Sequence, residues 1–155
     1  MTIVSPSTVD TQLDALSEDE CRVLLGSSAV GRIAFVVDGL PIVLPVNYRL
    51  LSDGSGARIL LRSRPGRAID RAPEQVAFEI DGIDHAHRQG WSVLIGGLLR
   101  HLDPDEVQRL SDEFDPTPWP QFERTTWLAI TPRTVTGRRL KAAEQEWALP
   151  SEAYL

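Results

Sequence analysis

Pro41-Ile42-Val43-Leu44-Pro45-Val46-Asn47-Tyr48 reads as one apolar strand, and Ala57-Arg58-Ile59-Leu60-Leu61-Arg62 reads as the next. The run Ser52-Asp53-Gly54-Ser55-Gly56 between them is a hairpin loop. Pro41 and Pro45 have no N–H to give a ladder, so this strand is predicted at a sheet edge or with a bulge at Pro45. A bulge turns nearby backbone N–H and C=O groups toward something other than a neighbouring strand. The second strand runs into Ser63-Arg64-Pro65-Gly66-Arg67, a turn with a hydroxyl, a glycine and a cluster of arginines.

The flanking chain continues the same pattern. Upstream, Ile33, Phe35 and Val37 alternate with Arg32, Ala34 and Val36, and Asp38-Gly39 predicts a tight hairpin into the proline-bearing strand. Before that, Ser17 and Glu20 have the spacing of a capping box, with Leu16 and Cys21 placed as a hydrophobic staple. A helix is therefore predicted from Ser17 to Gly26, with Cys21, Leu24 and Leu25 on its apolar face. Downstream, a short helix Ala68 to Arg71 stops near Pro73, and Val76 to Asp81 alternates as a half-buried strand. Trp91 to Leu99 is a longer strand in which Gly96-Gly97 marks a bulge or the close approach of another backbone. Asp103-Pro104 starts a helix predicted to reach about Phe114. A proline-rich loop with Trp119 leads to strands Trp127 to Ile130 and Thr134 to Arg139. Six or seven strands joined mostly by hairpins, with no alternating strand–helix units, favour a closed antiparallel barrel.

Composition bounds the function. The 155 residues are 42% hydrophobic, enough for one domain with a real core, and the net charge is −6. An acidic chain is a poor binder of nucleic acid, which needs many phosphates neutralised. The single cysteine, Cys21, rules out an internal disulfide or a thiolate metal cluster and reads as a small buried hydrophobe. No apolar run approaches the roughly 18 residues of a membrane span, and Met1 to Thr11 lacks the basic and apolar blocks of a secretory signal. The expected location is the cytoplasm, without membrane or nucleic-acid partners.

The turn at Ser63 is the best candidate site. A dianionic phosphate needs several convergent donors. The Ser63 hydroxyl and the backbone N–H groups around Gly66 and the following short helix offer neutral ones. Arg62, Arg64 and Arg67 offer charge-assisted ones. The competing reading is a solvated basic turn. His85 and His87 sit two apart with no third ligand placed by spacing, so no metal site is expected. Glu79 and Asp81 alternate outward on their strand, toward solvent or an interface, and no acid–base pair or nucleophile elbow is visible. Catalytic residues stay unknown, and hard chemistry would have to come from a cofactor. Trp91 is either a barrel-end or interface residue, or a stacking platform for a flat ligand.

Taken in order, Val30-Gly31-Arg32-Ile33-Ala34, Pro41-x-Val43-x-Pro45-Val46-Asn47-Tyr48, Ser63-x-x-Gly66-Arg67, Val76-Ala77-Phe78-Glu79-Ile80-Asp81, Gly90-Trp91-Ser92-Val93 with Gly97, and Pro132 with Thr136-Gly137-Arg138-Arg139 resemble the pyridoxamine 5′-phosphate oxidase-like family. These are the flavin-binding split barrels, and the likeness is to their actinobacterial branch. It spans about Leu16 to Leu140, between an N-terminal arm, 1–15, and a C-terminal tail, 141–155. The resemblance implies a mainly β fold, a six-stranded antiparallel split β-barrel with a few short helices. It implies a homodimer with flavin mononucleotide (FMN) at the subunit interface and hydride transfer to or from a small-molecule substrate. Ser63 and Arg67 inherit the phosphate, with Arg62 as helper. Pro45, Val46 and Asn47 inherit the isoalloxazine ring, and Trp91 is expected to approach from the second subunit. Arg67 stands where the family commonly has lysine. The tail Glu146-Trp147-Ala148-Leu149-Pro150 lacks the substrate-binding arginine of true pyridoxamine phosphate oxidases, whose reaction is therefore not expected. The alternatives on this fold are a deazaflavin-dependent reductase and a non-enzymatic flavin- or haem-binding barrel.

Overall fold

The computed structural model describes residues 12–54, 56–111 and 126–141. The chain order is β1 (Gln12–Leu16), α1 (Glu18–Ser27), β2 (Val30–Val37), β3 (Leu40–Asp53), β4 (Gly56–Ser63), a 3-10 turn (Ala68–Arg71), β5 (Gln75–Asp84), β6 (Gln89–His101), α2 (Pro104–Leu110) and β7 (Thr126–Lys141). The expectations placed on Met1 to Thr11, on Trp119 and on the tail from Glu146 to Pro150 lie outside the described residues.

All pairings are antiparallel, and the order β7-β4-β3-β2-β5-β6 returns to β7, closing six strands into a ring. The seventh strand, β1, lies beside β7, so part of the expected arm, from Gln12 on, is strand. Closure leaves gaps because long strands change partners. β3 pairs with β2 from Leu40 to Asn47 and with β4 from Tyr48 to Asp53. β7 pairs with β4 over Thr126–Ile130 and with β1 over Gly137–Lys141, while its other edge follows β6 from Leu128 to Leu140.

Local chemistry explains the joints. Asp38 and Gly39 both have positive φ, 53° and 77°, the backbone a two-residue hairpin needs between right-twisted strands. Ser17 accepts from the Glu20 N–H and the Glu20 carboxylate accepts from the Ser17 N–H, the capping box predicted for α1. The Ser17 bonds, backbone first, hold the Glu20 carboxyl below its ordinary range, with Arg139 adding to the effect. Burial pushes the Cys21 thiol up, as expected of a packed thiol rather than a nucleophile.

Three expectations are corrected. There is no bulge at Pro45, because the β2–β3 register runs unbroken from Val30↔Asn47 to Val37↔Leu40. The Tyr48 N–H donates to the Ala29 carbonyl at 3.0 Å, which sets the alternation. Residues of Tyr48's parity bond toward β2, so Pro41 and Pro45 face the other edge, where no ladder bond is asked of them. The two strands predicted after Trp127 are one, passing through Pro132. α2 ends at Leu110, short of Phe114.

The interior is filled by alternate residues of the ring, among them Ile33, Phe78, Ile59, Leu61, Ile95 and Ile130, with Cys21 and Leu25 of α1 capping one end. Tyr48 is fully buried, edge-on to Phe78 with ring centres 5.0 Å apart, and its hydroxyl donates to the Leu25 carbonyl at 2.6 Å. Tyr48→Phe strands that carbonyl. We expect a loss of about 1–3 kcal/mol in urea unfolding. Burial, opposed by a Ser28 hydrogen bond, pushes the Tyr48 phenol up from 10.0 to about 12. A folded-state pKa above the unfolded one gives stability that is whole below pH 10 and is lost as pH rises toward 12. The variant lacks that contribution to the alkaline loss.

Candidate functional site

Where β3 leaves β2 for β4, the sheet opens, and a cavity of about 410 Å³ lies in the opening. Its apolar wall is Leu44, Pro45 and Val46 of β3 with Ala68 and Ile69 of the 3-10 turn. Its polar side is Arg62, Ser63, Arg64 and Arg67. Each part follows from local sequence. β4 ends at Ser63, which still pairs with Thr126, so Arg62 and Ser63 are fixed by a ladder. Beyond them, Pro65 and Gly66 reverse the chain. Gly66 has φ of 75°, the value wanted at the third position of a type II turn after proline. Such a turn brings its first and fourth residues, here Arg64 and Arg67, within about 7 Å.

The polar groups differ in setting. Ser63 is the only buried polar residue among those described, and its hydroxyl donates to the Arg64 carbonyl at 3.2 Å. The Arg62 guanidinium lies over the Trp127 ring, 5.2 Å from its centre. Arg67 is exposed at the start of the 3-10 turn. An anion here meets arginine forks at one end and an apolar wall at the other. The described lining residues include no carboxylate, histidine or cysteine. The arrangement can hold and orient a ligand with a flat apolar body and an anionic tail, and among the described lining residues there is no group of the acid–base kind that works near neutral pH.

Pro45, Val46, Arg62, Ser63 and Arg67 are thus gathered in one place. Asn47 follows Val46 on the strand, outside the cavity lining. Trp91 is elsewhere. It packs over Gly82, its cross-strand partner, so closely that a Cβ on Gly82 would come within 2.6 Å of the indole. It lines a second cavity, about 420 Å³, with Ile83, Arg139 and Lys141. Through β7, Arg62 is level with the His101 end of β6. Trp91 is ten residues from His101, roughly 30 Å at the usual strand rise. Ile69 and Trp127 are the contributions that sequence reading missed. Ile69 shows no periodic signal in a four-residue turn, and Trp127 reaches the site only through a ladder between distant segments.

The sequence model of the pyridoxamine 5′-phosphate oxidase family matches residues 17–139. The chain belongs to this family. An uncharacterized protein of Mycobacterium tuberculosis is 34% identical over 131 residues, covering 82% of this chain and 85% of the relative. Among solved structures, the FAD binding protein from Mycobacterium smegmatis superposes with a TM-score of 0.71 at 30% identity, over 84% of this chain and 100% of that one. A FAD-binding protein from Mesorhizobium loti gives 0.66 at 27% identity, over 84% and 98%. The fold and the ordered motifs are those of the family, and these two structural relatives are flavin-binding proteins.

Proposed function

We propose that this chain is a flavin-binding oxidoreductase that works as a homodimer, with the flavin phosphate at Ser63–Arg67 and the ring beside Pro45 and Val46. One observation carries the reading: a single cavity joins an arginine-lined end to an apolar wall. That polarity fits a phosphorylated flavin, and family membership and the flavin-binding relatives support it. Bound flavin supplies hydride transfer through its ring. The chain's own part is to grip the phosphate, orient the ring and keep one face open to a small substrate. FMN is the simplest occupant. FAD is the second reading, favoured by the two FAD-binding relatives, since it carries a phosphate at the same distance from the ring. Titration with FMN, FAD and riboflavin, followed by flavin fluorescence, separates these, and absence of binding to all three refutes the proposal.

The dimer rests on the outer face of the sheet. Val36, Val43 and Leu94 share that face and are 52%, 60% and 48% exposed. Ala34, Ala77 and Gly96 make it flat between them. In its middle one guanidinium, Arg32, donates to two carboxylates, Glu79 at 3.0 Å and Asp81 at 3.1 Å, so both are hydrogen-bonded within the chain. A smooth apolar patch whose charged groups bond to one another suits a second copy of itself. Val43→Asp should shift the protein to a monomer in analytical ultracentrifugation, and an unchanged mass would place the interface elsewhere.

A further inference from the structure

Arg62, which lines the cavity, rests its side chain on an aromatic ring. Its cross-strand partner on β7 is Trp127, so the two side chains start from directly opposed backbone positions. The guanidinium centre lies 5.2 Å from the centre of the indole, within the roughly 6 Å reach of a cation–π contact. The platform is firm. Trp127 is only 7% exposed, and its carbonyl accepts from the Leu102 N–H at 2.9 Å, so its backbone is held by β4 on one side and by Leu102 on the other. Arg67, by contrast, extends from an exposed turn.

We propose that Trp127 is a positioning residue that makes this site select phosphorylated over unphosphorylated flavins. It acts through Arg62. Contact with the buried indole restricts where the guanidinium sits. A planar N–H fork held in place loses less side-chain freedom on gripping an anion than a mobile one does. The ring of a flavin lies toward Pro45 and Val46, so it is indifferent to Trp127; only the phosphate senses it. The inference rests on the flavin reading above and adds a specificity determinant to it.

The test is the ratio of riboflavin to FMN dissociation constants, measured by flavin fluorescence on the full chain. Wild type should favour FMN by tenfold or more. Trp127→Leu should cut that ratio about three- to tenfold with riboflavin affinity unchanged, and Trp127→Phe, which keeps a ring under Arg62, should restore most of it. Arg62→Gln should lower the ratio by itself, and adding Trp127→Leu to it should change the ratio no further, because the stack then has no cation to orient. If Trp127→Leu is too unstable to purify, Trp127→Met, which keeps an apolar side chain but no ring under Arg62, takes its place alone and with Arg62→Gln, with the same outcomes expected. A preserved FMN preference in Trp127→Leu, or equal loss of FMN and riboflavin, overturns the positioning role and leaves the flavin site standing. A wild type that ignores the phosphate overturns both.

Discussion

Gly97→Ala should lower the folding free energy by about 2–3 kcal/mol, the top of the usual range for overpacking. Gly97 lies on the β6–β7 seam that closes the barrel, next to its one register shift, between Gly96↔Thr134 and Gly97↔Pro132. A Cβ there would sit 2.5 Å from the Thr131 carbonyl oxygen and 2.9 Å from Ile130 Cγ2. The first of these is backbone, so no rotamer change relieves it. Either β7 moves away, breaking the ladder on both sides, or the bulge dissolves and Pro132 is driven into a regular register where its missing N–H is felt. For a domain of this size the loss is a fall in Tm of about 4–12 °C. Gly54→Ala is the control, since nothing lies within 4 Å of its Cβ and its φ is not in the left-handed region. Thermal unfolding of the two variants side by side separates the close-approach effect from the general effect of replacing glycine.

Arg67→Ala should weaken FMN binding at least about tenfold, as removal of a charged hydrogen bond costs about 1.5–3 kcal/mol. Arg67 is the end of the Pro65-Gly66 turn and lines the same cavity as Ser63. Its guanidinium is exposed, so its removal leaves no hole in the core and the fold should be unaffected. Riboflavin, without a phosphate, should bind the variant as it binds wild type. The contrast matters because a turn that is merely surface would change neither affinity. Arg67→Lys should stay within about threefold of wild type, because a point charge still meets the phosphate though the fork is lost. In salt, the wild-type preference for FMN should shrink as the exposed charge is screened, and the variant's should shrink less.

Much of this barrel is written locally. The alternation of Ile33 and Phe35 against Arg32 and Ala34 gives β2 its two faces, and both Asp38 and Gly39 adopt the positive φ that their pairing implies. Ser17 and Glu20 cap α1 reciprocally. Gly96-Gly97 announces the bulge because only a residue without Cβ tolerates the Thr131 carbonyl. What was illegible depends on partners far along the chain. Gln12–Leu16 is too short to signal a strand and becomes one because β7 extends past β4 and offers an edge. The continuity of β7 through Pro132 depends on a bulge in β7 itself, where Arg133 is the extra residue opposite Gly96-Gly97 of β6. At Pro45 the sequence is compatible with an edge or a bulge, and the parity set by the Tyr48–Ala29 bond decides for the edge.

The site divides in the same way. Ser63 and Arg67 are readable as a unit because one turn holds them, and Pro45 and Val46 join them because β3 changes partner at Tyr48. Trp91 was associated with them through the family's motif order, and within one chain it lies at the far end of β6. Trp127 carries no motif and is brought beneath Arg62 by register alone.

The central claim is that the Ser63–Arg67 cavity recognises a flavin by its phosphate. Its most direct test is a paired titration of the purified protein with FMN and riboflavin. The account predicts FMN binding at least tenfold tighter than riboflavin, with the difference largely abolished in Arg67→Ala. Equal affinity for the two flavins, or no binding of either, would contradict it.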